Sequence, residues 1–100
     1  MPLHLHFLPS LERSLKKLSP EQKEIVKLLL KALTIYLDKN FDIYEAQKIA
    51  PRFFFKQLRK PFYESSVEGK LHIVLRKDGS DCFALLVGNH DQVRRFLADQ

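Results

Sequence analysis

Glu64, His72, Arg76 and His90 are the residues of this 100-residue chain whose types could together act on a phosphate ester. Histidine exchanges protons near neutral pH because its unperturbed pKa is about 6.5. Arginine presents a planar fork that can grip a phosphate through two hydrogen bonds. A carboxylate takes up a proton or holds an imidazole in place. His90 lies in "VGNHD", directly after the apolar run Phe83 to Val87. Alone, a histidine just past a strand is either a proton-transfer group or an ordinary loop residue.

The elements around these residues decide whether they meet. From Pro61 onward the pattern is three strands, "FYESSV", "KLHIVLR" and "CFALLV". Glu68-Gly69-Lys70 and Asp78-Gly79-Ser80 are the turns between them. Three-residue loops with a left-handed glycine fit both turns. In that register Val67 faces Leu71, Ser65 faces Ile73 and Tyr63 faces Leu75. Across the second turn Leu75 faces Phe83, Ile73 faces Leu85 and Leu71 faces Val87. Odd positions then form an apolar face for helices to cover. A two-residue first turn would bury Glu64 and Ser66 there, at a cost in unpaired polar groups. Even positions put Glu64, Ser66, His72, Val74, Arg76, Cys82, Ala84 and Leu86 on an open face, with His90 at its rim. Asp91 is the expected N-cap of a final helix over "DQVRRFL", a structural job that would hold His90 in place.

Upstream, Leu3, Leu5 and Phe7 alternate with other residues, which predicts a strand near 2–8. Pro9-Ser10 ends it, and Leu11, Leu15 and Leu18 recur at helical spacing. Ser19-Pro20-Glu21-Gln22 is a helix start with a capping box, and the helix runs to about Asp38. Ile25, Leu28, Leu29, Ala32, Leu33 and Tyr36 are its expected buried face; Lys23, Lys27, Lys31, Thr34 and Asp38 are the wet one. "FDIYEAQKIA" reads as a short helix stopped by Pro51. "RFFFKQLRK" is an extended edge piece or one helical turn, with its phenylalanines in the core. Its Lys56, Arg59 and Lys60 sit beside aromatics, a combination also found on nucleic-acid surfaces. Lys70 in the first hairpin loop and Arg94 and Arg95 on the last helix are further candidates for RNA contact. His4 and His6 share a strand face at metal-possible spacing, but two ligands fall short of a metal site.

The length predicts one domain over 1–100. No apolar run approaches the roughly 18 residues that span a bilayer, and "MPLHLHFLPS" lacks the basic start and long apolar core of a secretory signal. Cytoplasmic residence is the expectation. Cys82 is the only cysteine, so the chain has no internal disulfide. On the groove face it reads as an unreactive filler. A net charge of +5 and a sequence pI near 9.5 favour a polyanionic or acidic partner.

The order strand, helix, helix, three antiparallel strands and terminal helix resembles the RelE/ParE superfamily of bacterial toxins from toxin–antitoxin pairs. The likeness spans nearly the whole chain. It rests on "PSLERSLKKLSPEQKEIVKLLLKAL" after the first strand, the "YE…VEGKLHIVLR" hairpin and the "LLVGNHD" ending. The resemblance implies an α+β fold: an N-terminal strand, a two-helix hairpin and a three-strand meander in a sheet of about four strands, closed by a short helix. It also implies a toxin that cuts messenger RNA in the ribosomal A site without metal or cofactor, restrained by a cognate antitoxin. Metal-free cleavage uses the 2′-hydroxyl as nucleophile and needs a base, an acid and a cation at the phosphoryl oxygens. By position, His90 is the acid or base, Arg76 the phosphate cation, Glu64 a base and His72 a second acid/base or phosphate donor. RelE-like toxins commonly carry arginine where His72 stands, so these roles transfer by position and not by identity. ParE-like members share the fold and poison DNA gyrase; a non-nucleolytic binder is the alternative.

Overall fold

The computed structural model describes residues 4–100. In chain order the elements are β1 (His4–Phe7), α1 (Pro9–Lys16), α2 (Pro20–Asp38), α3 (Ile43–Ile49), β2 (Phe54–Gln57), β3 (Phe62–Ser66), β4 (His72–Asp78), β5 (Asp81–Gly88) and α4 (His90–Ala98). Residues 2 and 3 of the expected first strand lie outside the described ones. The sheet is mixed and five-stranded, in the order β1-β5-β4-β3-β2. β1 runs parallel to β5; the other neighbours are antiparallel. The fold is α+β as expected, with one strand more: Phe54–Gln57 pairs along β3. In this segment the phenylalanines alternate faces. Phe55 packs against the main core with Tyr36 and Tyr63, while Phe54 turns to the other side, near His72.

Local chemistry sets the helix limits. The Ser19 hydroxyl accepts from the Gln22 N–H, and Gln22 Oε1 accepts from the Ser19 N–H. Two otherwise unpaired donors are thereby satisfied, with Pro20 where its missing N–H costs nothing. At the far end Asn40 adopts φ 57°, and the Phe41 N–H donates to the Tyr36 carbonyl at 2.8 Å. That is the Schellman ending, and the Phe41 ring packs edge-on against Tyr36 at 5.4 Å, supplying its usual apolar contact. The buried side of α2 is Val26, Leu29, Ala32, Leu33 and Leu37. It is rotated from the expected one: Leu28 is 37% exposed, while Val26 and Leu37 are buried. Lys23, Lys27, Lys31, Thr34 and Asp38 are exposed as expected.

The first hairpin keeps the expected register, Tyr63 opposite Leu75 and Ser65 opposite Ile73. Gly69 takes φ 75°, and Ser66 Oγ ties the loop by donating to the Leu71 carbonyl and accepting from the Gly69 N–H. The second hairpin corrects the expectation. Asp78 pairs with Asp81, leaving the two-residue turn Gly79-Ser80 with Gly79 at φ 61°. Leu75 therefore faces Ala84 instead of Phe83, and Ile73 faces Val87 instead of Leu85. A bulge at Leu85 restores the parity in between. Cys82 and Ala84 thus join the helix-covered core, and Phe83 goes to the other face. A two-residue turn with glycine first matches the right-handed twist of the strands. "CFALLV" is apolar at every position, so it has no alternation to oppose the shift.

The second face is not open either. α4 lies on it, and Val93, Phe96 and Leu97 form a second core with Phe62, Val74, Leu85 and Phe83. Glu64 and His72, expected on an exposed face, are 2% and 5% exposed.

Two consequences can be measured. Asn40→Ala should lower stability by about 1 kcal/mol in urea unfolding, whereas Asn40→Gly should be neutral or stabilising, because only the latter keeps a cheap left-handed residue at the helix end. Burial pushes the Cys82 thiol up to about 11, against a smaller downward pull from the Lys77 ammonium. The reactive thiolate is therefore scarce at pH 8, and a disulfide reagent should modify the native protein about a hundredfold more slowly than the denatured chain.

Candidate functional site

The polar cluster forms where β2, β3 and β4 present even positions beyond the N-terminal end of α4. Lys56 lies opposite Glu64 in the β2–β3 pairing, and Ser66 lies opposite His72 in the next. The Glu64 carboxylate spans these strands. Its Oε1 is 3.1 Å from Lys56 Nζ and its Oε2 is 3.5 Å from His72 Nδ1. The Lys56 ammonium against one oxygen offsets part of the cost of burying this carboxylate. His72 Nε2 lies 3.2 Å from the Gly69 carbonyl. A carbonyl only accepts, so Nε2 carries a hydrogen. Nδ1 is buried, points towards Glu64 and makes no hydrogen bond.

The walls around His72 are aromatic. Phe54 approaches edge-on at 6.2 Å, and the His90 ring is 5.9 Å away at 59°. His90 is exposed and occupies the first position of α4. Sequence reasoning made Asp91 the cap. The structure gives that role to Asn89, whose side chain accepts from the Gln92 N–H at 2.9 Å while Gln92 Oε1 accepts from the Asn89 N–H at 2.7 Å. Asn is as good a cap as Asp, and only Asn89 has a glutamine three residues on to complete the box. Asp91 falls in the first turn, where its charge suits the helix dipole.

Gly88 makes this corner possible. It sits directly across from His72 in the sheet. A Cβ at Gly88 would stand 2.5 Å from Gln92 Oε1 and 3.0 Å from Gln92 Cβ. The bare backbone there is what lets the capping glutamine fold against the strand end and hold His90 beside His72.

Arg76 is not brought to this cluster. It lies four residues along β4, about 13 Å at roughly 3.3 Å per residue, on the far side of buried Val74. Its guanidinium rests over the Phe83 ring at 5.2 Å, and His6 stacks on the same ring at 5.0 Å. His6 Nε2 is 2.8 Å from Asp81 Oδ1. The cation beside Glu64 and His72 is Lys56, exposed at its head. Its link to them becomes visible only once 54–57 is a strand, because parity then aligns Phe54, Lys56, Glu64 and Ser66.

The other basic candidates scatter. Arg59 Nη2 donates to the Leu97 carbonyl at 2.7 Å and the Gln100 carbonyl at 3.3 Å, tying down the end of α4. Lys60, Lys70, Arg94 and Arg95 are exposed.

No family model and no curated protein matches the sequence. Solved structures do match the fold. The copper-bound L66S mutant toxin from Helicobacter pylori superposes with a TM-score of 0.66 at 20% identity, over 91% of this chain and 98% of that one. The RelE chain class is represented by the RelB–RelE antitoxin–toxin complex from Methanococcus jannaschii, at TM-score 0.59 and 13% identity over 91% and 96%. The RelBE2 toxin–antitoxin complex from Mycobacterium tuberculosis matches at 0.51 and 19% over 90% and 93%. The chain therefore has the fold of RelE-like toxins, as the strand and helix order implied.

Gly88→Ala should destabilise the protein by about 1–3 kcal/mol, the usual range for overpacking. It should also weaken the nuclear Overhauser contact between the His72 and His90 rings. Gln92→Ala in the same chain removes Oε1 and Cδ but leaves Cβ, and recovery of part of the lost stability would mark the clash as the cause.

Proposed function

We propose that the chain is the toxin of a toxin–antitoxin pair and an endoribonuclease that cuts messenger RNA in the ribosomal A site. The observation that carries this reading is the exposed His90 imidazole held against the buried His72–Glu64 pair, with Lys56 beside it. Attack by the 2′-hydroxyl on the adjacent phosphorus breaks the bond to the 5′-oxygen and leaves a cyclic phosphate. One proton leaves the 2′-oxygen and one reaches the departing 5′-oxygen. His90 is the one imidazole of the pair that reaches solvent, so it handles the substrate's proton. Glu64 and His72 lie behind it and act by fixing its position and the local charge. Lys56 offers an ammonium to the phosphoryl oxygens. Arg76, further along β4, suits a neighbouring phosphate of an extended strand, as do Lys60, Lys70, Arg94 and Arg95.

An antitoxin partner fits the same reading, since two of the matching structures are complexes of toxin with antitoxin. The formal charge of +5 suits both an RNA and an acidic protein partner.

Purified protein added to a cell-free translation extract should arrest synthesis and leave message cut in the A site. His90→Ala should slow that cleavage by about a hundredfold or more, the size of a lost general acid or base, without changing stability. Arg76→Ala should weaken it less. Full cleavage by His90→Ala would remove the proposed chemistry, and arrest of gyrase supercoiling without cut message would assign the ParE-like activity instead.

A further inference from the structure

A cleft of about 380 Å³ opens next to this corner, between the α1–α2 turn and the start of α4. Small-ligand sites commonly occupy roughly 300–1,000 Å³. Its polar lining comes from four separate places: Lys17 after α1, Gln22 in α2, Lys70 in the β3–β4 loop, and Asn89 and Gln92 at the start of α4. None of the described residues lining it is an aspartate or glutamate.

The capping boxes determine what the two glutamines offer. Gln22 Oε1 and Gln92 Oε1 each already accept a backbone N–H. Their acceptor ends are thus turned back onto the chain, and the NH2 ends are what remains to offer a ligand. The backbone amides of Gln22 and Gln92 are likewise spent on Ser19 and Asn89. Ser14 Oγ, the one hydroxyl in the lining, donates to the Leu11 carbonyl and accepts from the Val87 N–H. What the cleft has free is two ammonium groups and the amide NH2 groups of Gln22, Asn89 and Gln92. A set of donors carrying two positive charges is complementary to a phosphate and repels cations.

The chain couples this cleft to the histidines. Asn89 precedes His90, Lys70 lies two residues before His72, and Gln92 holds the α4 start against Gly88. We infer that the cleft is a phosphate subsite, which takes a backbone phosphodiester of single-stranded RNA adjoining the one that His90 faces. The identity of the ligand rests on the endoribonuclease reading; the preference for phosphate rests on the cleft alone.

Lys17→Gln/Lys70→Gln removes both charges from exposed positions, and Lys31→Gln/Lys39→Gln removes the same charge from exposed positions in α2 and at its C-cap. The probe is a short 2′-O-methyl RNA, which has no free 2′-hydroxyl and cannot be cut. Binding should shift the amide resonances of Lys70, Asn89 and Gln92. The Lys17/Lys70 variant should bind about tenfold more weakly, with a salt dependence shallower by about 0.7, the size of one lost phosphate contact on a single strand. The Lys31/Lys39 variant should bind nearly as the wild type does. Inorganic phosphate should shift the same resonances at higher concentration; shifts from phosphate but not from RNA would mark a free-anion site and overturn the RNA subsite. Equal weakening in both variants, or resonance shifts elsewhere, would overturn it as well. Intact RNA binding in this cleft without message cleavage in the translation extract would instead sink the endoribonuclease reading and leave the phosphate site standing.

Discussion

The packing of α4 against the outer face of the sheet is the constraint on which the rest depends. β3, β4 and β5 are the inner strands, and β5 and the middle of β4 carry apolar side chains to both faces, so two layers must cover them. The helices α1 to α3 cover one side. On the other, Val93 and Phe96 join Val74 and Phe62 in a separate core. The first turn of α4 meets that face at the end where Glu64 and His72 lie, and it closes over them. The site is the corner between the sheet and the start of its last helix.

That geometry explains the unequal burial within the cluster. Glu64 and His72 belong to the sheet and are enclosed by Phe54, Lys56 and the α4 start. His90 belongs to the helix and stays in solvent. A buried acid and imidazole are costly unless each oxygen and nitrogen has a counterpart, and the Lys56–Glu64–His72 row supplies nearly all of them. The atom left over is His72 Nδ1, on the side facing the carboxylate. Buried polar atoms without a partner are uncommon in folded proteins, and a functional cluster is one of the places where they are retained.

The basic residues divide by the same logic. Arg59 is absorbed into the fold as a tether for the C-terminal end of α4, and Arg76 into a ladder with Phe83 and His6. Lys70 is exposed near the histidines, and Lys56 keeps its head in solvent while it pairs with Glu64. An arginine's flat guanidinium stacks and forks readily onto protein groups, whereas a lysine's hydrated head tends to stay in water.

Much of this was legible from local chemistry. The Ser19 capping box, the left-handed glycines at 69 and 79, the register of the first hairpin and the amphipathic α2 each follow from interactions between residues close in the chain. So does the nearness of His72 and His90, since both lie at the same end of neighbouring strands. What the sequence by itself determined was therefore the set of elements other than β2 and the end of the sheet where the imidazoles lie. Only the tertiary structure decided which side chains lie on each face and what covers them. "CFALLV" carries no alternation, so the one-residue shift at Gly79-Ser80 and the bulge at Leu85 leave no trace in its hydrophobic pattern. The pairing of Lys56 with Glu64, the separation of Arg76 from the histidines and the choice of Asn89 over Asp91 as cap all depend on that packing, because each compares alternatives of nearly equal local energy. Contacts between distant segments, with α4 foremost among them, decide between such alternatives.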